Sequence, residues 1–477
     1  MNNSKFYIIL IAGLITLCAS NAAFSTSDIG NIIDENEFPS AQVVLPNPTK
    51  EPDFVIKGGV EKTIDLTLQK CLEIAMGNNP DISVAFHDIL ASDTRIKQVW
   101  SNYFPQVSWQ TGYSKIKQLQ LSDALGRNLT FNYYILGQVT LQQMLYDFGV
   151  TQNQATIRRI EYEGYKATLA GTINDIIYQT KDNYYRLLYA FEAKRVAEDN
   201  VNKFEMFYNQ AKAFYEIGTN PKVDVTIAEV NLSNAKLQLI QADNAVNIAV
   251  ARLNNTMGVP FINKYNVTER LKYRPLDISF NEAVRIARDA RPELKLAKLQ
   301  VANAKQTLKL VKKSWFPSIS IEGQYQRGGK SFTSNYGYNY GAYLNFPTVN
   351  GMLINNEIKE ARYLYDKQIA TAKSAQNSIY LEIQENYLNL EEKRQKMPVA
   401  QLRVKQAKEN YELSYGRYRV GEGNPTELKD AQIAYQDAQL QYYQAMYEYN
   451  SAKAALERSV GKNLTQYDTV ELEQLRG

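Results

Sequence analysis

Histidine and cysteine are nearly absent from this sequence of 477 residues. His87 is the one histidine, and Cys18 and Cys71 are the two cysteines. Structural zinc sites and catalytic triads draw mainly on these residue types, so we expect no metal site and no histidine-based triad. We expect no other cofactor either. This scarcity counts against an enzyme.

Long apolar runs are also missing, apart from one near the start. The 13 residues Phe6–Cys18 are too few for a mature membrane helix, which needs about 20. With Lys5 before the run and small residues after it, the pattern predicts a secretory signal peptide over residues 1–23. Lipid attachment at Cys18 is the second option, which Leu17 disfavours.

Neither sign of charge dominates the composition. The 54 basic and 50 acidic residues leave a net charge of +4, so we expect no nucleic-acid partner.

The chain contains an internal duplication. Tyr103-Phe104-Pro105 recurs 212 positions later as Trp315-Phe316-Pro317. The region around Gly218 recurs 203 positions later around Gly421. Order and spacing both repeat, so we predict two copies of one structural unit, with a variable loop in the first.

Proline is missing from long stretches that have helical periodicity. The predicted helices cover 81–102, 150–217 and 222–257 in the first half, and 293–314, 352–420 and 426–460 in the second. Sixty-eight helical residues extend about 100 Å, which indicates a coiled coil rather than a globular core. In each half the two shorter helices together match the long one, so we expect them to stack end to end beside it. Pro398 predicts a kink in 352–420.

Two segments, 105–141 and 317–346, alternate with a period of two. Val107, Trp109 and Tyr113 share one face, whereas the other face carries uncharged polar side chains. This pattern suits a barrel with lipid outside and water inside, although a half-buried soluble sheet alternates as well. Open sheet edges are not tolerated in lipid, so four strands require oligomerisation.

Several motifs, in order and duplicated, resemble the TolC-like outer-membrane efflux channel family. They are the two x-Phe-Pro segments at 103–105 and 315–317, the repeat openings at 66–80 and 278–292, Tyr146-Asp147-Phe148-Gly149, and Tyr418-Arg-Val-Gly421. The resemblance implies an α+β membrane protein in which a trimeric 12-stranded β-barrel, four strands per chain, continues into a long α-helical coiled-coil barrel.

The resemblance also completes a domain map. After the signal peptide come an N-terminal extended or equatorial segment (24–65), the first repeat (66–258), a linker (259–276), the second repeat (277–461) and a C-terminal tail (462–477).

The resemblance implies a passive exit duct for a tripartite efflux pump or a type I secretion system. Its partners would be two further copies of the chain, outer-membrane lipid, a periplasmic adaptor and an inner-membrane pump. The location would be the outer membrane of a Gram-negative bacterium, with a periplasmic helical extension. A structural or adhesive coiled-coil protein of the cell surface is the alternative, but such a stalk has no need of lipid-compatible strands.

The helix reversals at Gly218 and Gly421 are then the expected adaptor contacts, and the second is the expected periplasmic gate. Tyr418 matches a family tyrosine that precedes the reversal. Glu427 and Asp430 match acidic residues that follow it.

Three copies of Glu427 and Asp430 would form carboxylate rings that favour cations. The alternative is that these acids only stabilise the start of a helix. Asp224 is the equivalent acid in the first half, but Ile227 stands where its partner would be. Gly423 occupies the position of a family arginine that locks the gate, which puts that lock in doubt.

Overall fold

The computed structural model of this protein describes residues 64–122, 128–219, 221–259, 265–266, 269–329, 335–347, 351–420, 422–462 and 464. The chain divides into two units, residues 1–51 and 52–477, and every described residue belongs to the second. The predicted signal peptide, the segment 24–63 and the tail from 465 onwards lie outside the described residues.

Helices dominate the described part of the chain. They are α1 Leu68–Asn78, α2 Pro80–Trp100, α3 Val150–Glu216, α4 Lys222–Met257, α5 Phe280–Ala290, α6 Pro292–Lys312, α7 Gly351–Arg419 and α8 Pro425–Val460. The strands are β1 Ile64–Asp65, β2 Gln106–Ser122, β3 Asn128–Tyr146, β4 Tyr265–Asn266, β5 Ser318–Gly329 and β6 Asn335–Asn345. The first hairpin thus reaches Tyr146, five residues beyond its predicted end at 141.

Each repeat opens with a short capped helix. The side chain of Thr67 accepts a hydrogen bond from the Lys70 backbone N–H at 3.3 Å and starts α1. Ser279 does the same for Glu282 at 3.3 Å and starts α5. These side chains satisfy backbone donors that the first turn of a helix leaves unpaired.

The duplication extends to packing at the end of each repeat. Asn79 Nδ2 donates to the carbonyl of Thr256 at 2.8 Å, and Arg291 Nη1 donates to the carbonyl of Ser459 at 2.5 Å. The two pairs occupy equivalent positions of the two repeats. A side-chain donor therefore fixes the last turn of α4 and of α8 in the same way, although asparagine does this in one repeat and arginine in the other.

The helices pack as columns beside the two long helices. Both α2 and α4 contact α3, and both α6 and α8 contact α7, which agrees with the predicted end-to-end stacking. Helix α3 also contacts α6 and α8, so it joins the two repeats. Helix α7 includes Pro398 in its interior and remains one helix of 69 residues. The short helices form a further layer: α1 contacts α3 and α4, and α5 contacts α7 and α8.

No helix in the described ranges has the length and apolar composition required to cross a membrane.

The contact between the repeats, along α3 and α8, contains many polar groups. Lys181 Nζ lies 2.6 Å from Glu457 Oε2, and both side chains are only 7% exposed. Gln432 Nε2 donates to Asn200 Oδ1 at 2.8 Å within the buried interface. Buried polar groups are costly without partners, so these pairs fix the register of α3 against α8.

The larger sheet has the strand order β2-β3-β5-β6 and is antiparallel throughout. Its register aligns apolar side chains in rows across all four strands. One such row is Trp109, Val139, Tyr325 and Tyr338. The next row on the opposite face is Ser108, Thr140, Gln324 and Asn339. Over Gln106–Gln110 and the residues paired with them, the alternation therefore gives the sheet one apolar and one polar face. Register shifts between Gln110 and Gly112 and between Met144 and Tyr146 interrupt the pattern on either side.

A buried carboxylate fixes the junction between the sheet and α3. Asp147 accepts hydrogen bonds from the Thr151 N–H at 2.6 Å, the Gly149 N–H at 3.0 Å and the Tyr103 hydroxyl at 2.8 Å. Burial alone would raise the pKa of Asp147, but these hydrogen bonds outweigh it and lower that pKa. The negative carboxylate thus caps the start of α3 and ties it to the segment before β2.

Candidate functional site

The second helix reversal joins α7 to α8 and brings together three of the predicted site residues. Asn424 caps α8, its side-chain oxygen accepting a hydrogen bond from the Thr426 N–H at 2.8 Å. Tyr418 precedes the reversal, and Glu427 and Asp430 follow it. Gly421 lies outside the described residues.

Tyr418 lies inside the protomer in this structure. Its side chain is 6% exposed and belongs to an apolar cluster with Phe207 of α3 and Leu428 of α8. Its ring centroid is 6.4 Å from that of Phe214, near the end of α3. Burial, with a smaller contribution from the charge of Asp224, raises the pKa of Tyr418. Tyr418 therefore connects the two reversals of one chain.

Gly423 is pressed against the end of α7. A Cβ atom at this position would lie 2.6 Å from the backbone nitrogen of Tyr418 and 2.8 Å from its Cα. Real Cβ atoms do not approach a backbone so closely, and backbone cannot move aside as a flexible side chain can. Any larger residue at this position would require the reversal to be rebuilt.

Both predicted acids have a basic neighbour within the same chain. Glu427 Oε1 lies 3.0 Å from Arg417 Nη1, so this pair bridges the end of α7 and the start of α8. Asp430 Oδ1 lies 3.2 Å from Nζ of the adjacent Lys429. Asp430 is the more exposed acid, with 65% of its side chain accessible against 47% for Glu427.

The helix-end interpretation applies to only one of the two acids. Glu427 lies in the first turn of α8, where a negative charge interacts favourably with the helix dipole. Asp430 lies beyond the first turn, and the dipole effect fades over that distance.

Asp430 belongs to an exposed stripe of α8 that sequence reasoning missed. Its members recur at spacings of three and four, so they share one helix face: Asp430, Ile433, Asp437, Gln441 and Gln444. The second acid on this face is Asp437. The interval of seven residues between the two aspartates was a signal in the sequence that could have identified it.

The first reversal has a different surface. Gly218, at φ 78, ends α3 with a left-handed turn in which the Thr219 N–H donates to the carbonyl of Phe214 at 2.9 Å. The side chains around it are apolar and exposed: Ile217 at 74%, Val223 at 57% and Ile227 at 47%. Asp224, the predicted acid, is half-buried in the first turn of α4.

Comparisons with known proteins agree with this architecture. A family model described as "Outer membrane efflux protein" matches residues 71–259 and 283–462. "Toxin and drug export protein A" of Aggregatibacter actinomycetemcomitans is 22% identical over 65% of this chain and 68% of its own length. "Outer membrane protein TolC" of Escherichia coli K12 is 21% identical over 76% of both chains. The crystal structure of the Campylobacter jejuni CmeC outer membrane channel superposes with a TM-score of 0.70 at 15% identity, covering 87% of this chain and 93% of the other.

Proposed function

This chain belongs to the outer membrane efflux protein family, and we infer from that membership and from its fold that it is a subunit of an outer-membrane exit duct for efflux. The observation that carries this conclusion is the four-stranded sheet. In the rows paired with Gln106–Gln110, its register keeps apolar and polar side chains on opposite faces, and within the described residues its outer strands, β2 and β6, leave two unpaired edges. Such a sheet suits lipid on one face and water on the other, but only after its edges are paired.

Three copies of the sheet give a closed barrel of twelve strands, with β6 of one copy beside β2 of the next. The helical columns support the same assembly. Helices α2 and α4 form one edge of the protomer, and α7 forms the other. The remaining long columns, α3, α6 and α8, each have helices of the same chain on both sides.

Both of these edges expose large apolar side chains. On α4 they are Val223, Ile227, Val230, Leu237, Ile240 and Ile248. On α7 they include Tyr363, Leu381, Leu388, Val399, Leu402 and Leu413. A head-to-tail contact between two different surfaces closes into a ring when the rotation permits, and these two stripes fit such a contact.

The duct is passive and has no catalytic step of its own in this proposal, so a separate pump supplies the driving force. A periplasmic adaptor connects the two at the reversals. The exposed apolar residues around Gly218 support this role for the first reversal, and the predicted contact at Gly421 is its counterpart in the second. A small toxic compound and a secreted protein are both compatible with a duct of this kind.

The second reversal is the entrance of the duct and favours cations. Three copies of Asp430, with Asp437 above it on the same face of α8, set carboxylates around the entrance. Glu427 contributes less than Asp430, because its side chain is less exposed. Tyr418 and Asp224 hold the two reversals together from within, as their proximity supports.

Conductance of the purified trimer in a planar bilayer tests the proposal. We expect a pore that prefers cations, and a several-fold weaker cation preference after Asp430→Asn combined with Glu427→Gln. Asp243→Asn is the matched control, because Asp243 is also an exposed helical aspartate with a lysine neighbour, Lys194 at 2.7 Å, but is distant in sequence from the reversal. Absence of any pore would refute the channel, and an unchanged preference in the double variant would refute the acidic entrance alone.

A further inference from the structure

Helix α6 carries a concentration of positive charge that its counterpart in the first repeat lacks. It contains five lysines and one acid, Glu293, over Pro292–Lys312. The equivalent helix α2 contains three aspartates, one arginine and one lysine over Pro80–Trp100. Because both helices have the same place in their repeat, the fold itself does not demand the lysines of α6.

Four of these lysines form one exposed stripe. Lys298, Lys305, Lys309 and Lys312 are exposed, and at 100° per residue they lie within roughly 60° of one another. The stripe extends about 21 Å along the helix at 1.5 Å per residue. None of the four makes a salt bridge with a residue in the described ranges.

The two flanks of α6 are occupied by helices of the same chain. Gln306 donates to Asn153 of α3 through its side chain, and Gln300 accepts a hydrogen bond from Gln368 of α7 at 3.1 Å. The lysine stripe lies between these flanks. Neighbouring columns therefore leave it open, and a second copy of the chain meets α2, α4 and α7 rather than α6.

The orientation of the stripe follows from a comparison with α8, which also lies between α3 and α7. Both helices run antiparallel to α3. Gln306 lies beside Asn153 and Leu296 beside Gly164, and likewise Gln432 lies beside Asn200 and Glu457 beside Lys181. On α6 the lysine stripe lies roughly a quarter turn around the helix from Gln306, which contacts α3. The equivalent face of α8 lies roughly a quarter turn from Gln432 in the same sense. On α8 that face carries Tyr449 and Leu456, which pack in the cluster that includes α5.

A duct must keep its lumen open, so the layer that contains α5 lies on the outside. The corresponding face of α6, with its lysines, is therefore also external. This step rests on the proposed function.

The C-terminal end of the stripe, at Lys312, lies next to a group of exposed aromatic residues, called here the aromatic belt. Trp315 and Phe316 follow α6 directly and are 40% and 52% exposed, and Phe104 from the first repeat is 60% exposed. Phe316 stacks on Phe148 with ring centroids 5.5 Å apart. Aromatic residues at the end of lipid-facing strands mark the membrane–water interface.

We propose that Lys305, Lys309 and Lys312 bind the anionic headgroups of phospholipids in the periplasmic leaflet. The three lie within about 10 Å of the end of α6, which is within reach of the headgroup layer for long lysine side chains. Lys298 is about 21 Å from that end and lies beyond the layer. Charge complementarity and continuity with the aromatic belt identify lipid as the partner.

Native mass spectrometry of the full trimer tests this binding with a defined mixture of phosphatidylglycerol and phosphatidylcholine. The wild type should retain phosphatidylglycerol preferentially, and each lysine changed to glutamine should weaken that preference by about fivefold at low salt. The triple variant K305Q/K309Q/K312Q should lose it. Two single variants should keep it: Lys298→Gln, on the same stripe but distant from the membrane, and Lys97→Gln, at the equivalent position of α2 beside Asp93.

Two results would overturn the proposal. One is an unchanged lipid preference in the triple variant. The other is equal displacement of phosphatidylglycerol by free glycerol phosphate, which would indicate a phosphate site rather than a bilayer contact. Planar-bilayer conductance of the same triple variant separates this inference from the proposed function, because a variant that conducts normally but loses the lipid preference supports both. A wild-type trimer that does not conduct refutes the duct whatever its lipid preference.

Discussion

The two helix reversals of this chain derive from one duplicated segment, yet their surfaces differ. The first ends α3 at Gly218 and exposes Ile217 and Val223. The second exposes the Arg417–Glu427 pair and buries its tyrosine, whereas the equivalent Tyr215 of the first reversal is 45% exposed. The difference teaches that duplication preserved the turn while the surface chemistry around it diverged, although both turns expose one apolar residue at the same place, Ile217 in the first and Val420 in the second.

The largest expected difference between the reversals concerns their tyrosines. Tyr418→Ala removes a buried ring and should lower the free energy of local opening by about 3–5 kcal/mol. Tyr215→Ala, at the equivalent exposed position, should change it by about 0.5 kcal/mol or less. Amide hydrogen exchange across the ends of α7 and α8 measures both. Equal effects of the two substitutions would contradict the asymmetry.

Substitution of alanine for the glycine of each reversal should lower stability for a different reason. Gly423→Ala forces a Cβ against the backbone of Tyr418, at an expected cost of about 1–3 kcal/mol. Gly218→Ala meets open space and costs about 1–2 kcal/mol through its left-handed backbone alone.

Substitution by asparagine distinguishes the steric cause from the backbone cause. It tolerates the left-handed conformation, so Gly218→Asn should recover stability relative to Gly218→Ala. Gly423→Asn should be no better than Gly423→Ala, because the added Cβ remains. Hydrogen exchange at each reversal reports both comparisons, and recovery at position 423 would rule out the steric explanation.

The smallest expected effect on stability comes from the exposed ion pair. Arg417→Gln should lower stability by less than about 1 kcal/mol, since exposed pairs contribute little. It should nevertheless increase the cation preference of the pore, because Glu427 loses its neutralising partner. Lys408→Gln is the control, as it removes an exposed pair with Glu412 from the same helix. A lower cation preference after Arg417→Gln would contradict the assigned role of Glu427.

The sequence was sufficient to predict the architecture because long-range order here depends on simple periods. The strands alternate over most of their length, and the helices lack internal prolines except Pro398, so the elements could be placed to within about five residues. The short helices α1 and α5 were not predicted as separate elements. Their signals, Thr67 and the capping sequence from Ser279 to Glu282, were present but brief.

The details of the second reversal could not be predicted, because they depend on how the chain turns between α7 and α8. The partner of Glu427 lies ten residues earlier, across the reversal, and no helical spacing relates it to Arg417. The same turn presses Gly423 onto Tyr418 and buries the tyrosine. The equivalent residues of the first repeat did not indicate the Arg417–Glu427 pair, since Phe214 occupies the position of Arg417.

The columns of this protein also constrain how its length can evolve. Helix α3 contacts five other helices, so removal of one residue from its middle would rotate every later side chain by about 100° against all of its neighbours. Removal of seven residues, about two turns, keeps each later side chain on its original helix face but shortens α3 by about 10 Å. The same length must then be lost from α4, α7 and α8. A duct of this design can therefore lengthen or shorten only in matched steps of whole turns, taken in both repeats together.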